Sequence, residues 1–427
     1  MSSRGELTRR SFLKSSVVTA GSAAVMTAKL QQAVAGANER IHIGVIGTGW
    51  IARGGHLAAL RGIRDKENFT FVAINDVWKE RMDSYSEIVK KDYGTTPTQF
   101  NDYRKLLEMK EIDSVLIATP EHWHGQQILD ALAAGKHIYT EKPMTHTIEE
   151  SVKVLDAAKK SDRLIQVGIQ GMSDDSYEAA RQYIKTGKLG RIVHAQIDYV
   201  RWYPADSGPW RTDDGRKGGP KPADLDWDSW LGPAKKVPWD ARRYFDWRCY
   251  WDYSGGICTD LFVHRIARLM KALELAEPTR VCGFGGIFMW DDGRDTPDDF
   301  EMCLEYPRGM TIHVLGTMAN NRGIEHVIRG HSATLMFTGN GFEVYPMDPK
   351  LGKRDKPIYT HKKTGGENQA LHHQNHWAAI RANKPEMLVC PPSLGHAAVT
   401  AVCMANESYR RKKYMAWDHA TRTMKEA

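Results

Sequence analysis

The stretch "IHIGVIGTGWIA", residues 41–52, decides how this chain is read. An apolar, β-branched run predicts a strand, and Gly47-Thr48-Gly49-Trp50-Ile51-Ala52 follows it directly into a helix. Gly47 permits the tight turn, Gly49 lets the main chain approach a pyrophosphate, and Ala52 keeps helix and strand close. The helix N-terminus then faces the phosphates. This is the form of a grip on a dinucleotide, with Gly47, Gly49, Trp50 and Ile51 at the cofactor.

Outward from that turn, "FTFVAIN", "DSVLIAT", "KHIYT" and "LIQVGI" read as further strands. Helical patterns at Val77–Lys91 and His122–Ala134 separate them, and Gly135 stops the second. Thr147-x-x-Glu150 is a capping box that opens another helix. Alternation of this kind predicts an α/β fold: a doubly wound parallel sheet of the Rossmann type over residues 38–166. Asp76 ends the second strand, where a carboxylate accepts from the adenosine ribose hydroxyls and repels a 2′-phosphate. That favours NAD, although Lys79 and Arg81 stand near enough to hold the phosphate of NADP. "TPEHWHG" and "YTEKPMTHT" fall at the carboxyl ends of strands, where open sheets bind ligands. Thr119, Pro120, Glu141 and Lys142 are therefore assigned to the cofactor, with the Lys142 ammonium beside the nicotinamide.

Farther on, "SGGICTDLFVH" sets Asp260 and His264 four residues apart, on one helical face. Their natural joint role is a base steadied by a carboxylate. Oxidising a carbinol needs such a base with a pKa near neutrality, which suits His264. Seven of the thirteen tryptophans lie between Trp202 and Trp251, interleaved with tyrosines and charges. They make either a carbohydrate cleft or a plug between domains; Trp202, Trp210 and Arg248 are assigned to the substrate. His122 with His124, and His372 with His376, have helical spacing, but no cysteine or carboxylate completes either set, so no metal is expected.

The N-terminus carries a different message. Arg9-Arg10 followed by Ser11-Phe12-Leu13-Lys14 has the form of a twin-arginine signal, with a weakly apolar core from Val17 to Ala28. Small residues around Ala35 and Ala37 offer cleavage sites, so residues 1–37 are read as a signal peptide and the mature protein as exported to a bacterial periplasm by the twin-arginine machinery. Removing residues 1–35 takes away five basic side chains and one acidic one, which lowers the formal charge from +7 to +3. That is too little for a nucleic-acid partner. No later segment is long and apolar enough to span a membrane. Six cysteines show no CxxC pairing, and no essential disulfide is expected in a protein exported already folded.

Taken together, "GVIGTGWIA", "ATPEHWHG", "EKPMTHTIEE", "QVGIQ" with "IKTGKLGRI", and "SGGICTDLFVH" resemble the glucose-fructose oxidoreductase, inositol dehydrogenase and rhizopine catabolism (Gfo/Idh/MocA) family. The likeness runs over nearly all of residues 40–418. It implies a C-terminal α+β domain over residues 167–427, with a large open, mostly antiparallel sheet, a C-terminal helix packing back on the first domain, and a homo-oligomer, dimer or tetramer. It also implies that Lys142 hydrogen-bonds the reacting oxygen, that Asp260 sets the histidine tautomer or contacts the sugar, and that His124 lies beside the cofactor. Ala267 stands where many members carry another acid. The expected activity is NAD(P)-dependent oxidation of a sugar or sugar derivative. An exported enzyme has no pool of free NAD, so the cofactor should be tightly bound and reset within each cycle. The alternatives are a redox-neutral enzyme that cleaves or epimerises a glycoside through a ketone, or a sensor that binds NAD and sugar without turnover.

Overall fold

The computed structural model describes residues 40–307, 309–347 and 356–427. The signal reading and its cleavage site lie outside the described residues. Six strands form the first sheet: β1 (Ile41–Ile46), β2 (Phe69–Asn75), β3 (Thr98–Phe100), β4 (Ser114–Ile117), β5 (His137–Glu141) and β6 (Ile165–Gly168). They run parallel in the order β3-β2-β1-β4-β5-β6, so the direction of winding reverses between β1 and β4. Every residue of β4, β5 and β6 is buried, as parallel strands covered on both faces require. The connectors are α1 (Ile51–Leu57, a π-helical turn) running into α2 (Ala58–Arg61), α3 (Lys79–Tyr93), α4 (Tyr103–Leu107), α5 (Glu121–Ala133) and α6 (Ile148–Lys159). Thr147 and Glu150 close the capping box at α6. Helix α3 begins at Lys79 rather than Val77, because Trp78 is held extended by a bridge to Leu225. Strand β3, a half-exposed three-residue edge, carries too short a pattern to be read from sequence.

The second unit opens with α7 (Asp175–Lys185) and the long β7 (Ile192–Trp202). Three short helices follow, α8 (Asp213–Lys217), α9 (Trp227–Leu231) and α10 (Ala241–Phe245), before α11 (Val263–Leu273). The remaining strands are β8 (Arg280–Gly286), β9 (Asp299–Tyr306), β10 (Met310–Thr317), β11 (Ala319–Asn320), β12 (Val327–Gly330), β13 (Ala333–Thr338), β14 (Gly341–Pro346), β15 (Tyr359–Lys362), β16 (Met415–Asp418) and β17 (Thr423–Glu426). Their path is β15-β14-β13-β12-β7-β10-β9-β8-β16-β17, with β11 paired to β7. Only β7 and β10 pair in parallel; the other pairs are antiparallel. The turn between β9 and β10 contains the expected Pro307 and Gly309; Arg308 lies outside the described residues.

Strand alternation gives this sheet one covered face. Phe300, Met302, Leu304 and Tyr306 of β9 enter the core, while Glu301, Cys303 and Glu305 do not. Helices α12 (Gln369–Ala382) and α13 (Pro392–Arg411) return to the first domain. Trp377 of α12 stacks on Phe69 with ring centroids 4.7 Å apart, and Arg381 donates to Asn68 O (2.9 Å). The six cysteines are free thiols.

Candidate active site

A cleft of about 1010 Å³ opens at the carboxyl ends of the parallel strands, at the point where the winding reverses, and continues onto the second domain. Its first part is main chain. Gly47 has φ +89°, and a Cβ there would stand 2.9 Å from the Ala118 backbone, so the turn after β1 accepts only glycine. A Cβ on Gly49 would meet nothing nearer than Arg81 Nη1 at 3.7 Å, which leaves that main chain open to the cleft. An open glycine turn leading into a helix suits a pyrophosphate, and Trp50, Ile51, Thr119 and Pro120 line the cavity around it.

Asp76 lines the cleft, but its carboxylate is already engaged. Oδ2 accepts from Thr48 N (2.8 Å) and Thr48 Oγ1 (2.9 Å), and Oδ1 accepts from Trp78 N (3.0 Å). Its first duty is to fix the glycine turn, and the remaining lone pairs are what it offers a ribose. Glu141 is similarly committed: Oε1 pairs with His56 Nε2 (3.1 Å) and accepts from Gln369 Nε2 (3.4 Å). Burial alone would raise the Glu141 pKa, but His56, Lys142 and His124 together hold it below the usual value.

Lys142, Asp260, Arg248 and His264 meet on the floor of the cleft. Lys142 Nζ donates to Asp260 Oδ1 (2.6 Å) and to the Asp260 carbonyl (2.7 Å), and Arg248 Nε donates to the same Oδ1 (2.9 Å). Burial would raise the pKa of Asp260, yet Arg248 and Lys142 hold it well below the usual carboxylate range. This corrects the expected pairing of Asp260 with His264: the two share a helical turn, but the cations capture the carboxylate. The Nδ1 of His264 is buried without a partner. Burial, then the cations Lys142 and Arg268, push this imidazole well below its ordinary pKa, so it is neutral at pH 7; this corrects the near-neutral pKa expected of it, because the buried, cation-flanked site disfavours the imidazolium.

Behind them sits Glu121, which carries no distinguishing signal in the sequence because an acid in the first turn of a helix is commonplace. It is buried and accepts from Ser254 Oγ (2.6 Å), Thr259 Oγ1 (2.7 Å) and Gly255 N (3.2 Å), tying α5 to the turn that carries Asp260. Burial, and Asp260 next to it, raise its pKa.

The far wall is aromatic and basic. Tyr199, Arg201, Tyr203, Trp210, Arg211 and Trp247 line it, and Arg201 Nη2 donates to Tyr199 OH (2.7 Å). Trp210 adopts φ +60°, unusual for a bulky side chain; next to it, Arg211 is anchored to Asp246 (3.0 Å) and Asp292 (2.8 Å). Arg248 Cζ lies 4.1 Å over the Trp247 ring. Trp202, in contrast, is 60% exposed and does not line the cleft. Side chains alternate along β7, so Tyr199 and Arg201 face the cavity and Trp202 points the other way. Trp227 and Trp230 stack on each other at 4.8 Å in an aromatic core beside the cleft, which Trp230 also lines.

Three of the four paired histidines, His122, His124 and His372, have structural partners, and His376 is buried with neither ring nitrogen hydrogen-bonded. His124, expected beside the cofactor, lies outside the cavity lining; its ring nitrogens reach Pro143 O (2.7 Å) and Thr119 O (2.9 Å), bracing the two loops that do line it. His122 Nε2 reaches Trp230 O (3.1 Å) and His372 Nε2 reaches Val167 O (2.9 Å). Among the described residues no three His, Cys, Asp or Glu are arranged to hold a metal ion, and no helix is long and apolar enough to cross a membrane.

Comparison with known proteins agrees with this geometry. A profile described as "Oxidoreductase family, NAD-binding Rossmann fold" matches residues 41–169. Two C-terminal domain profiles of the same family match residues 176–277 and 234–336. The chain is 27% identical over 238 residues to glycosyl hydrolase family 109 protein 2 of Shewanella sp. (strain ANA-3), covering 48% of this chain and 50% of that protein. It is 29% identical over 169 residues to scyllo-inositol 2-dehydrogenase (NAD(+)) of Bacillus subtilis (strain 168), covering 40% and 46%. The chain thus spans about half the length of the curated relatives it matches. In fold it is similar to the WlbA dehydrogenase of Bordetella pertussis, solved with NADH and UDP-GlcNAcA: TM-score 0.64 at 16% identity, covering 89% of this chain and 98% of that one. With profiles of one family running from residue 41 to residue 336, the chain belongs to the Gfo/Idh/MocA family of NAD-binding oxidoreductases.

Proposed function

We propose that this protein oxidises a carbinol of a sugar or sugar derivative with a nicotinamide dinucleotide that stays bound. The observation that carries the reading is the meeting of Lys142, Asp260 and His264 where the Gly47–Gly49 turn and the aromatic, basic wall share one cleft. A nicotinamide held there supplies hydride acceptance and return. Lys142 has three N–H donors; Asp260 occupies two, and the third is left for the substrate oxygen. His264, which lines the cleft with an unpartnered Nδ1, is the group placed to take the hydroxyl proton, and the Lys142 charge stabilises the alkoxide as it develops. Arg248 and Trp210 border the sugar, and NAD is favoured over NADP because Asp76 opposes a 2′-phosphate.

The twin-arginine signal extends this reading. Export of the folded protein with its cofactor to the periplasm requires that the reduced cofactor be reoxidised in place, by a second carbonyl compound or by a ketone intermediate. The second outcome is redox-neutral cleavage or epimerisation of a glycoside, and the likeness to glycosyl hydrolase family 109 proteins favours giving it a place beside transhydrogenation. The test uses protein purified without added nucleotide. It should contain about one dinucleotide per chain, and a panel of sugars and glycosides should include one that generates nicotinamide absorbance travelling with the protein on gel filtration. Turnover that needs free NAD overturns the closed cycle; bound dinucleotide that no sugar reduces points to a sensor. Export is tested separately: replacing Arg9-Arg10 with two lysines should retain folded protein in the cytosol, and unchanged export removes the signal reading.

A further inference from the structure

Residues 224–232 of the second domain run from the loop after β2 to the start of α5 and are fastened at both ends. At the first, Asp226 N donates to Val77 O (2.9 Å), Lys79 N donates to Asp224 O (3.3 Å), and Trp78 and Leu225 form an antiparallel bridge. The Asp224 carboxylate accepts from Trp78 Nε1 (3.0 Å) and Glu80 N (2.9 Å). At the second, Trp230 O accepts from Trp123 Nε1 (2.8 Å), and Gly232 packs so closely on the Trp123 ring that any Cβ would overlap it.

Strands β2 and β4 flank β1 in the sheet. A segment fastened beyond the carboxyl ends of both therefore crosses in front of the glycine turn that follows β1. Ser229, Trp230 and Gly232 line the same cavity as Gly47 and Gly49. Beside the crossing, the Arg81 guanidinium lies between two rings, 4.9 Å from Trp78 of the first domain and 5.1 Å from Tyr244 of the second. Contacts between the two domains thus cross the cleft beside the glycine turn, on the side where an open Rossmann sheet would leave it to solvent.

We propose that residues 224–232, with Tyr244, are a strap that completes the dinucleotide site from the second domain and retains the cofactor, so that release requires the Asp224–Asp226 contacts to open. The inference rests on the cofactor reading above and adds the part of the chain that makes binding slow to reverse. Four main-chain and carboxylate hydrogen bonds hold its first end, and they must part together before the nucleotide can leave.

The full-length protein is loaded with NADH, chased with excess NAD, and the loss of bound NADH fluorescence is followed. Asp224→Asn, which keeps the side-chain shape but leaves one oxygen for two donors, should speed release tenfold or more. Trp78→Phe, which removes the indole donor and keeps a ring against Tyr244, should speed it several-fold and supplies the test if Asp224→Asn does not fold. Equal release rates in the wild type and a folded variant overturn the strap, whether or not any sugar reacts. Faster release in the variants with no sugar ever reducing the bound nucleotide sustains the strap and overturns the proposed reaction. Failure of the wild-type protein to bind NADH overturns both.

Discussion

The two ends of the cleft are built from different material. The end at the glycine turn is main chain, supplied by consecutive residues after β1, and the Asp76 carboxylate beside it is spent on Thr48 and Trp78. The end proposed to react is side chain, gathered from Lys142 just after β5, from β7 and α11, and from the helical turns at Arg248 and Asp260. Main-chain geometry follows from local torsions and tolerates change around it. A cluster of buried charges depends on several elements arriving together, and its protonation depends on each neighbour. Binding and chemistry should therefore separate on mutation.

The sharpest separation is expected at Lys142. Lys142→Ala should retain bound dinucleotide and lose its reduction by sugar about 10²–10⁴-fold, the span for removing a positioned acid–base group. Nucleotide content measured beside single-turnover absorbance checks this, and loss of the nucleotide itself would break the distinction. Gly47→Ala should do the reverse. Its φ of +89° and a Cβ 2.9 Å from the Ala118 backbone should cost about 2–3 kcal/mol of stability and release the cofactor, read by thermal unfolding and nucleotide content.

Next in size is the response to acid. Burial holds His264 well below its ordinary pKa, His122 and His376 at about 3 and His372 at about 4, whereas the unfolded chain titrates near 6.5. The folded protein keeps these rings neutral, so below about pH 6.5 the unfolded state binds more protons. Their contribution is full above that pH and is lost as pH falls through 6.5 towards 4, by up to about 1.4 kcal/mol per pH unit for each ring. Asp260 adds to the loss below about pH 4. Denaturant midpoints from pH 8 to pH 4 should fall, and a flat profile would contradict buried neutral histidines. The smallest effect compares two tryptophans. Trp210→Ala should raise the sugar KM about tenfold, in the range of losing one aromatic contact, while Trp202→Ala should leave it unchanged.

Much of the first domain was legible because its determinants are short-range. Strand periodicity, a glycine turn, a capping box and helix stops act over a few residues, and all of these features appear at or within two residues of where the pattern puts them. That Gly47, Gly49, Thr119 and Lys142 line the cleft follows from the rule that parallel strands present ligands at their carboxyl ends. Trp202 was misassigned although the information was present: the two-residue period of β7 already sets it opposite Tyr199 and Arg201.

Other features had no local signature. By itself the sequence determined a doubly wound sheet, its glycine turn, and the presence of a lysine, an aspartate and a histidine of the types that do acid–base chemistry. Only the tertiary structure decided that Asp260 pairs with Lys142, 118 residues away, and not with the histidine one turn along. It likewise decided that His124 braces two loops and that Glu121 holds the turn behind the site. The reason is energetic. A buried carboxylate must find the strongest compensating charge within reach, and which charges come within reach is set by how two domains pack, which no spacing along the chain encodes.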